Sequence, residues 1–162
     1  MSKWEVLIGE CDVCHKVFVA TCSSIQHSAL GIQPVIRSCG IKNLRDLQVW
    51  QKAHSLVLAS YRGTGGFPKQ EMYGMTSQIR RCAASIAANI AEGCGKRGNG
   101  EFQRYLNIAA GSASELEYHF LLAHDLNFLD DTSYQPLHGA VVEVKRMLAS
   151  LIRKVETERL VG

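Results

Sequence analysis

Beyond Lys42 the apolar positions recur at steps of three and four, the spacing that places side chains on one face of an α-helix. From Asn43 to Arg62 the series Leu47, Trp50, Val57 and Tyr61, with His54 completing it, forms one such stripe. The run Gly63-Thr64-Gly65-Gly66-Phe67-Pro68 ends it, because adjacent glycines are costly in a helix and Pro68 disfavours helical geometry at Phe67. A second segment, about Gly74 to Glu92, puts Ile79, Ala83, Ile86 and Ile90 on one face, while Ala84, Ala87, Ala88 and Ala91 keep other faces narrow enough for close approach. The third, about Glu101 to Leu126, has the strictest pattern: Phe102, Leu106, Ala109, Ala113, Leu116, Phe120 and Ala123 alternate steps of four and three, a heptad seam. The fourth, about Thr132 to Leu160, repeats it with Leu137, Val141, Val144, Leu148, Leu151 and Val155. Asp131 or Thr132 is its expected cap, and Pro136 is tolerable only in its first turn. Rods of roughly 19 to 29 residues are ~28 to 43 Å long, and short connections make neighbours antiparallel. The fold class predicted is therefore all-α, an antiparallel up-down-up-down four-helix bundle over residues 41–162.

The first forty residues do not share this pattern. Short β-leaning runs, Val6-Leu7-Ile8 and Val17-Phe18-Val19, are broken by Gly9, Gly31 and Pro34, and four of the six cysteines (Cys11, Cys14, Cys22 and Cys39) fall there. The expectation is a loosely packed extension joined to the bundle near Gly40. Cys11-Asp12-Val13-Cys14-His15 matches the haem-attachment pattern, but covalent haem is attached outside the cytoplasm and the start Met1-Ser2-Lys3-Trp4-Glu5 lacks the apolar core of an export signal. Zinc is the better metal reading, with Cys22, His27 or Cys39 completing a tetrahedral site begun by Cys11 and Cys14. The rest of the chain supplies no second C-x-x-C to pair with it, so reduced, metal-free thiols are the leading expectation.

Several strings together resemble a known family. Leu44-Arg45-Asp46-Leu47-Gln48-Val49-Trp50-Gln51-Lys52-Ala53-His54, Phe67-Pro68, Tyr73-Gly74-Met75-Thr76-Ser77-Gln78-Ile79-Arg80-Arg81, Ala88-Asn89-Ile90-Ala91-Glu92-Gly93 and Gly111-Ser112-Ala113-Ser114-Glu115-Leu116-Glu117 are similar to the four-helix-bundle proteins encoded in 23S rRNA intervening sequences, the "S23 ribosomal protein" family. The resemblance covers roughly Ile41 to Leu160. It implies an up-down bundle that assembles as a homopentamer, without enzymatic activity or cofactor. It also implies kinship with the accessory variability determinant of diversity-generating retroelements, a basic pentamer that engages nucleic acid and a reverse transcriptase. Residues 1–40 lie outside the family pattern, and Ala87 stands where many members have proline, so the second helix is expected to run straighter here.

Residue-level chemistry points away from catalysis. Gly93-Cys94-Gly95-Lys96-Arg97-Gly98 satisfies G-x-G-x-x-G, but it follows a helix where the dinucleotide fingerprint follows a strand, so it reads as a helix-ending turn. Lys96, Arg97 and the free N–H groups that open the third helix favour an anion there. No paired Glu-x-x-His spacing for a di-iron bundle occurs at His119, His124 or His138, and Glu115 with His119 reads as a surface or interface hydrogen bond. Gly111-Ser112-Ala113-Ser114-Glu115 has alanine where a nucleophile elbow needs serine. Asn89, Ser112 and Glu115 are expected to pair with polar groups within the bundle or between subunits.

Composition fits one soluble domain: 162 residues, 46% apolar and 20% charged, with net charge +3. A cytoplasmic location without membrane association is expected. Charge becomes informative once topology is added. Residues 42–104 carry ten basic side chains against four acidic ones, net +6, and residues 105–162 carry net −3. In an up-down bundle one end gathers Lys42, Arg45, Lys96, Arg97, Arg104, Arg153, Lys154 and Arg159 with five acids, and the other gathers Arg62 and Lys69 with four. Copied around a ring, the first end forms a basic rim that contacts RNA or DNA phosphates without a base-reading motif. The alternatives are a protein-interaction scaffold with no nucleic-acid role and a zinc module built on the extension.

Overall fold

The computed structural model describes residues 44–161. The predictions for residues 1–43, including the zinc reading of Cys11, Cys14, Cys22, His27 and Cys39 and the placement of Lys42, lie outside the described residues. A 3-10 turn at Leu44–Asp46 leads into four helices: α1 (Gln48–Gly63), α2 (Met75–Cys94), α3 (Asn99–Asp125) and α4 (Asp131–Val161). Two further 3-10 turns, Thr64–Gly66 and Lys69–Glu71, fill the glycine- and proline-rich connection. There is no strand among the described residues.

Each helix packs on its sequence neighbours and α1 packs on α4, which closes the four rods around one core. The pairings are antiparallel. Gly93, Ser85 and Arg81 on α2 face Phe102, Ser112 and Glu115 on α3, and Glu117 and His124 on α3 meet Lys145 and Asp131 on α4. On α4, Glu143 reaches Lys52 of α1 at 3.0 Å.

The seams of α2, α3 and α4 follow the sequence pattern. Ile79, Ala83, Ile86 and Ile90 are fully buried, all seven seam residues of α3 are buried, and α4 buries Leu137, Val141, Val144, Leu148 and Val155 with Leu151 partly covered. The first helix differs. Its buried face is Val49, Ala53, Leu56 and Ser60, while Leu47, Trp50 and Val57 are partly buried, Tyr61 is 48% exposed and His54 is exposed. The predicted stripe is the rim of the true one. Trp50 stacks on His54 at 5.3 Å between ring centroids, so the large aromatics lie over the edge of the core while the smaller residues face it. Burying Ser60 is inexpensive because its hydroxyl donates to the Leu56 carbonyl at 2.7 Å.

The connections are built by identifiable side chains. Thr64 donates to the Ser60 carbonyl at 2.9 Å and accepts from Arg80 Nε at 2.9 Å, while the Arg80 guanidinium lies 4.8 Å from the Tyr61 ring centroid. This ties the end of α1 to α2. After α3, Asn127 adopts left-handed geometry (φ 59°), and the Asn127 and Phe128 amides return to the His124 and Ala123 carbonyls at 2.9 and 2.8 Å. That is a Schellman stop with asparagine in the usual glycine position. The cap of α4 is Asp130, whose carboxylate accepts from the Ser133 amide at 2.9 Å; this corrects the expectation of Asp131 or Thr132. The same contacts with Ser133 hold the Asp130 carboxyl below the usual aspartate range. Pro136 also departs from expectation: α4 begins at Asp131, so the proline sits in its second turn, within a continuous helix. Past Val155, α4 continues for six residues, all exposed.

Candidate nucleic-acid interface

The turn between α2 and α3 positions the candidate cations. Gly93 lets the helices approach: a Cβ there would meet the Phe102 ring at 2.9 Å and Tyr105 Cβ at 3.0 Å. Gly98 then takes φ +95°, which glycine adopts without penalty, and α3 starts at Asn99. Gly95 has an ordinary negative φ, so one glycine rather than several makes the turn.

Tyr105 organises the neighbourhood. Its hydroxyl donates to Glu92 Oε1 at 2.8 Å; Lys96 Nζ lies 3.2 Å from the same oxygen and 5.2 Å from the Tyr105 ring centroid, and the Arg104 guanidinium lies 6.0 Å from that centroid. The Tyr105 hydrogen bond, with Lys96 adding to it, holds the Glu92 carboxyl below its ordinary value. In turn Glu92, and after it Tyr105, holds the Lys96 ammonium above its own. Both groups are solvent-exposed, so the pair orients Lys96 more than it stabilises the fold. Arg104 also lies 3.6 Å from Glu101.

Arg104 and Arg159, 55 positions apart in sequence, line one solvent-open groove with Gly100, Gln103, Asn107 and Ile108. Five of the lining residues come from the first half of α3, and Arg159 comes from the end of α4. Arg104, Arg159, Gln103 and Asn107 all carry N–H donors, the kind of group that pairs with anion oxygens. Arg97, Arg153, Lys154 and Arg159 are exposed and form no ion pair among the described residues, and Arg45 is exposed on the 3-10 turn before α1. Of the eight predicted cations, Lys96 and Arg104 share the Tyr105 ring, and Arg104 and Arg159 line the same groove. Gln103 and Asn107 escape sequence reasoning, although each shares a helical face with its groove neighbours on α3, Gly100 and Arg104 respectively, at three-residue spacing.

The expected polar pairing within the bundle is present: Ser85 and Ser112 hydroxyls lie 2.9 Å apart, Asn89 donates to the Ser85 carbonyl at 2.7 Å, and Arg81 pairs with Glu115 at 2.8 Å. The outer face of α3 exposes Ile108, Tyr118 and Leu121, each between 43 and 58% accessible. No described helix is long and apolar enough to cross a membrane.

Comparison with known proteins agrees with this architecture. A crystal structure of a protein with unknown function from the S23 ribosomal protein family of Bacteroides thetaiotaomicron is similar, with 27% identity, a TM-score of 0.59, and coverage of 64% of this chain and 97% of that one. No curated protein matches the chain. The sequence profile of the 23S rRNA-intervening sequence proteins matches residues 45–150, and the chain belongs to that family.

Proposed function

We propose that this protein is a non-enzymatic, homo-oligomeric helical bundle, a pentamer as the sequence resemblance implies, that binds RNA or DNA in the cytoplasm through its basic end. The observation that carries this reading is the groove in which Arg104 and Arg159 stand together with Gln103 and Asn107. Phosphate is the ligand that this donor set fits, and repetition of the groove around a ring multiplies a field that one subunit generates weakly. Lys96 and Arg97 on the turn before α3, with Arg45, Arg153 and Lys154, are the further cations of this reading. Binding of this kind is directed at the nucleic-acid backbone and is weakly sequence-specific.

Fluorescence anisotropy with labelled RNA and DNA across a salt series tests the proposal. Affinity should fall steeply with salt, and replacing Arg104 and Arg159 by Ala should weaken binding and reduce the logarithmic salt slope by about 0.9 for each duplex phosphate no longer neutralised. Absence of binding near ~50 mM salt, where phosphate contacts are strong, refutes it.

The exposed Ile108, Tyr118 and Leu121 support a second reading, in which the bundle is a protein-interaction scaffold without a nucleic-acid role. A Tyr118→Glu variant examined by sedimentation should lose subunits if this face holds copies together. An unchanged mass places self-association elsewhere.

A further inference from the structure

We propose that Cys82, Glu115 and His119 form a binding site for a zinc-class transition-metal dication on the seam between α2 and α3, away from the basic groove. Cys82 comes from α2, and Glu115 and His119 stand one turn apart on α3; one donor atom from each lies within 4.8 Å of the others. Donors on two helices make the site a product of the fold, invisible in the linear spacing of Glu115 and His119 alone.

The state of His119 is the second observation. Its side chain is only 17% exposed, Nδ1 is buried without a partner among the described residues, and Nε2 is 3.7 Å from Glu115 Oε1, beyond hydrogen-bond range. The expected hydrogen bond between these residues is therefore not formed. An imidazole so covered, with its buried Nδ1 unsatisfied, calls for a ligand or an ordered water. Cys82 is 1% exposed and beside the same carboxylate.

The donor set selects the metal. Sulfur and imidazole nitrogen exclude magnesium and calcium, which take oxygen ligands, and suit zinc and its neighbours. A thiolate and a carboxylate neutralise the dication. On binding, the Cys82 S–H bond breaks, a sulfur–metal bond forms and the proton leaves to solvent; no electron is transferred. Bonds of about 2.0–2.3 Å at tetrahedral angles place ligand atoms about 3.3–3.8 Å apart, so the trio must close by at most about 1.5 Å. Glu115, 44% exposed, can turn to do so, and Arg81, which it releases, keeps its two hydrogen bonds to Gln78 Oε1. Water completes the fourth position on the solvent side.

Cobalt(II) titration of the metal-free, reduced full-length chain tests this, with absorbance reporting thiolate coordination. To remove the competing thiols of the first forty residues, the measurement is made in a variant with Cys11, Cys14, Cys22 and Cys39 replaced by Ser. The expected result is one equivalent of cobalt with a sulfur-to-metal charge-transfer band, displaced by zinc, lost in Cys82→Ser and weakened at least tenfold in His119→Ala. His119→Ala keeps the test decisive if Cys82→Ser loses its helical circular dichroism. No charge-transfer band in the four-serine variant, a band that survives Cys82→Ser, or an affinity unchanged by His119→Ala overturns the proposal.

Discussion

Gly93→Ala sets two effects of known size against each other. Alanine in place of glycine favours a helix interior by up to about 1 kcal/mol, and less near an end such as Cys94. Against this, the new Cβ would lie 2.9 Å from Phe102 Cδ2 and 3.0 Å from Tyr105 Cβ. The ring belongs to a side chain only 9% exposed, and Tyr105 Cβ is fixed to the α3 backbone, so the helices must separate. Overpacking of this kind costs about 1–3 kcal/mol, which outweighs the propensity gain. The net expectation is a loss of about 1–2 kcal/mol. Gly139→Ala is the control: it lies within α4, and nothing stands within 4 Å of the point a Cβ would occupy, so the same substitution should stabilise by up to about 1 kcal/mol. Urea unfolding followed by circular dichroism, at one protein concentration, should move the two midpoints in opposite directions with unchanged slopes. Gly93→Ala as stable as the parent, beside a stabilised Gly139→Ala, would refute close approach at this crossing.

Three further outcomes follow from the packing and the caps. Phe120→Ala removes the largest fully buried side chain and should cost about 3–5 kcal/mol in the same urea assay. Thr64→Val keeps the shape but deletes the acceptor of Arg80 and the donor to Ser60, and should cost about 1–3 kcal/mol by thermal or urea unfolding. Asp130→Ala should lower the melting temperature at neutral pH. Because folding depresses the Asp130 pKa, its contribution is complete above the ordinary aspartate value and disappears as pH falls through the lower folded value, so the gap between variant and parent should close in acid.

The sequence is most legible where burial alone decides position. The α3 seam from Phe102 to Ala123 recurs at steps of four and three, and the buried face follows it residue by residue. In α1 size is a poor guide to burial: Trp50 and Tyr61 draw the apparent stripe toward themselves, whereas Ala53 and Ser60 occupy the crowded centre because they are small. The cap of α4 lies one residue earlier than the pattern suggests because Asp130 and Asp131 are chemically equivalent in sequence; only the geometry of the Schellman stop decides which faces the Ser133 amide. The basic end is an expectation from charge counting, whereas the sharing of one groove by Arg104 and Arg159 depends on how α4 lies along α3. The meeting of Cys82 with Glu115 and His119 depends on the rotation of α2 against α3. Neither quantity is carried by hydrophobic periodicity.

The six exposed residues after Val155 have a thermodynamic consequence for the groove. With no apolar anchor, this terminal stretch is held helical by its own backbone bonds, and short helical stretches in water are only marginally stable. The stretch that carries Arg159 should therefore exchange its amide hydrogens faster than the turns around Leu148. Were a phosphate to bind at Arg104 and Arg159, it would favour the helical form of this stretch, and part of its binding free energy would go into that ordering.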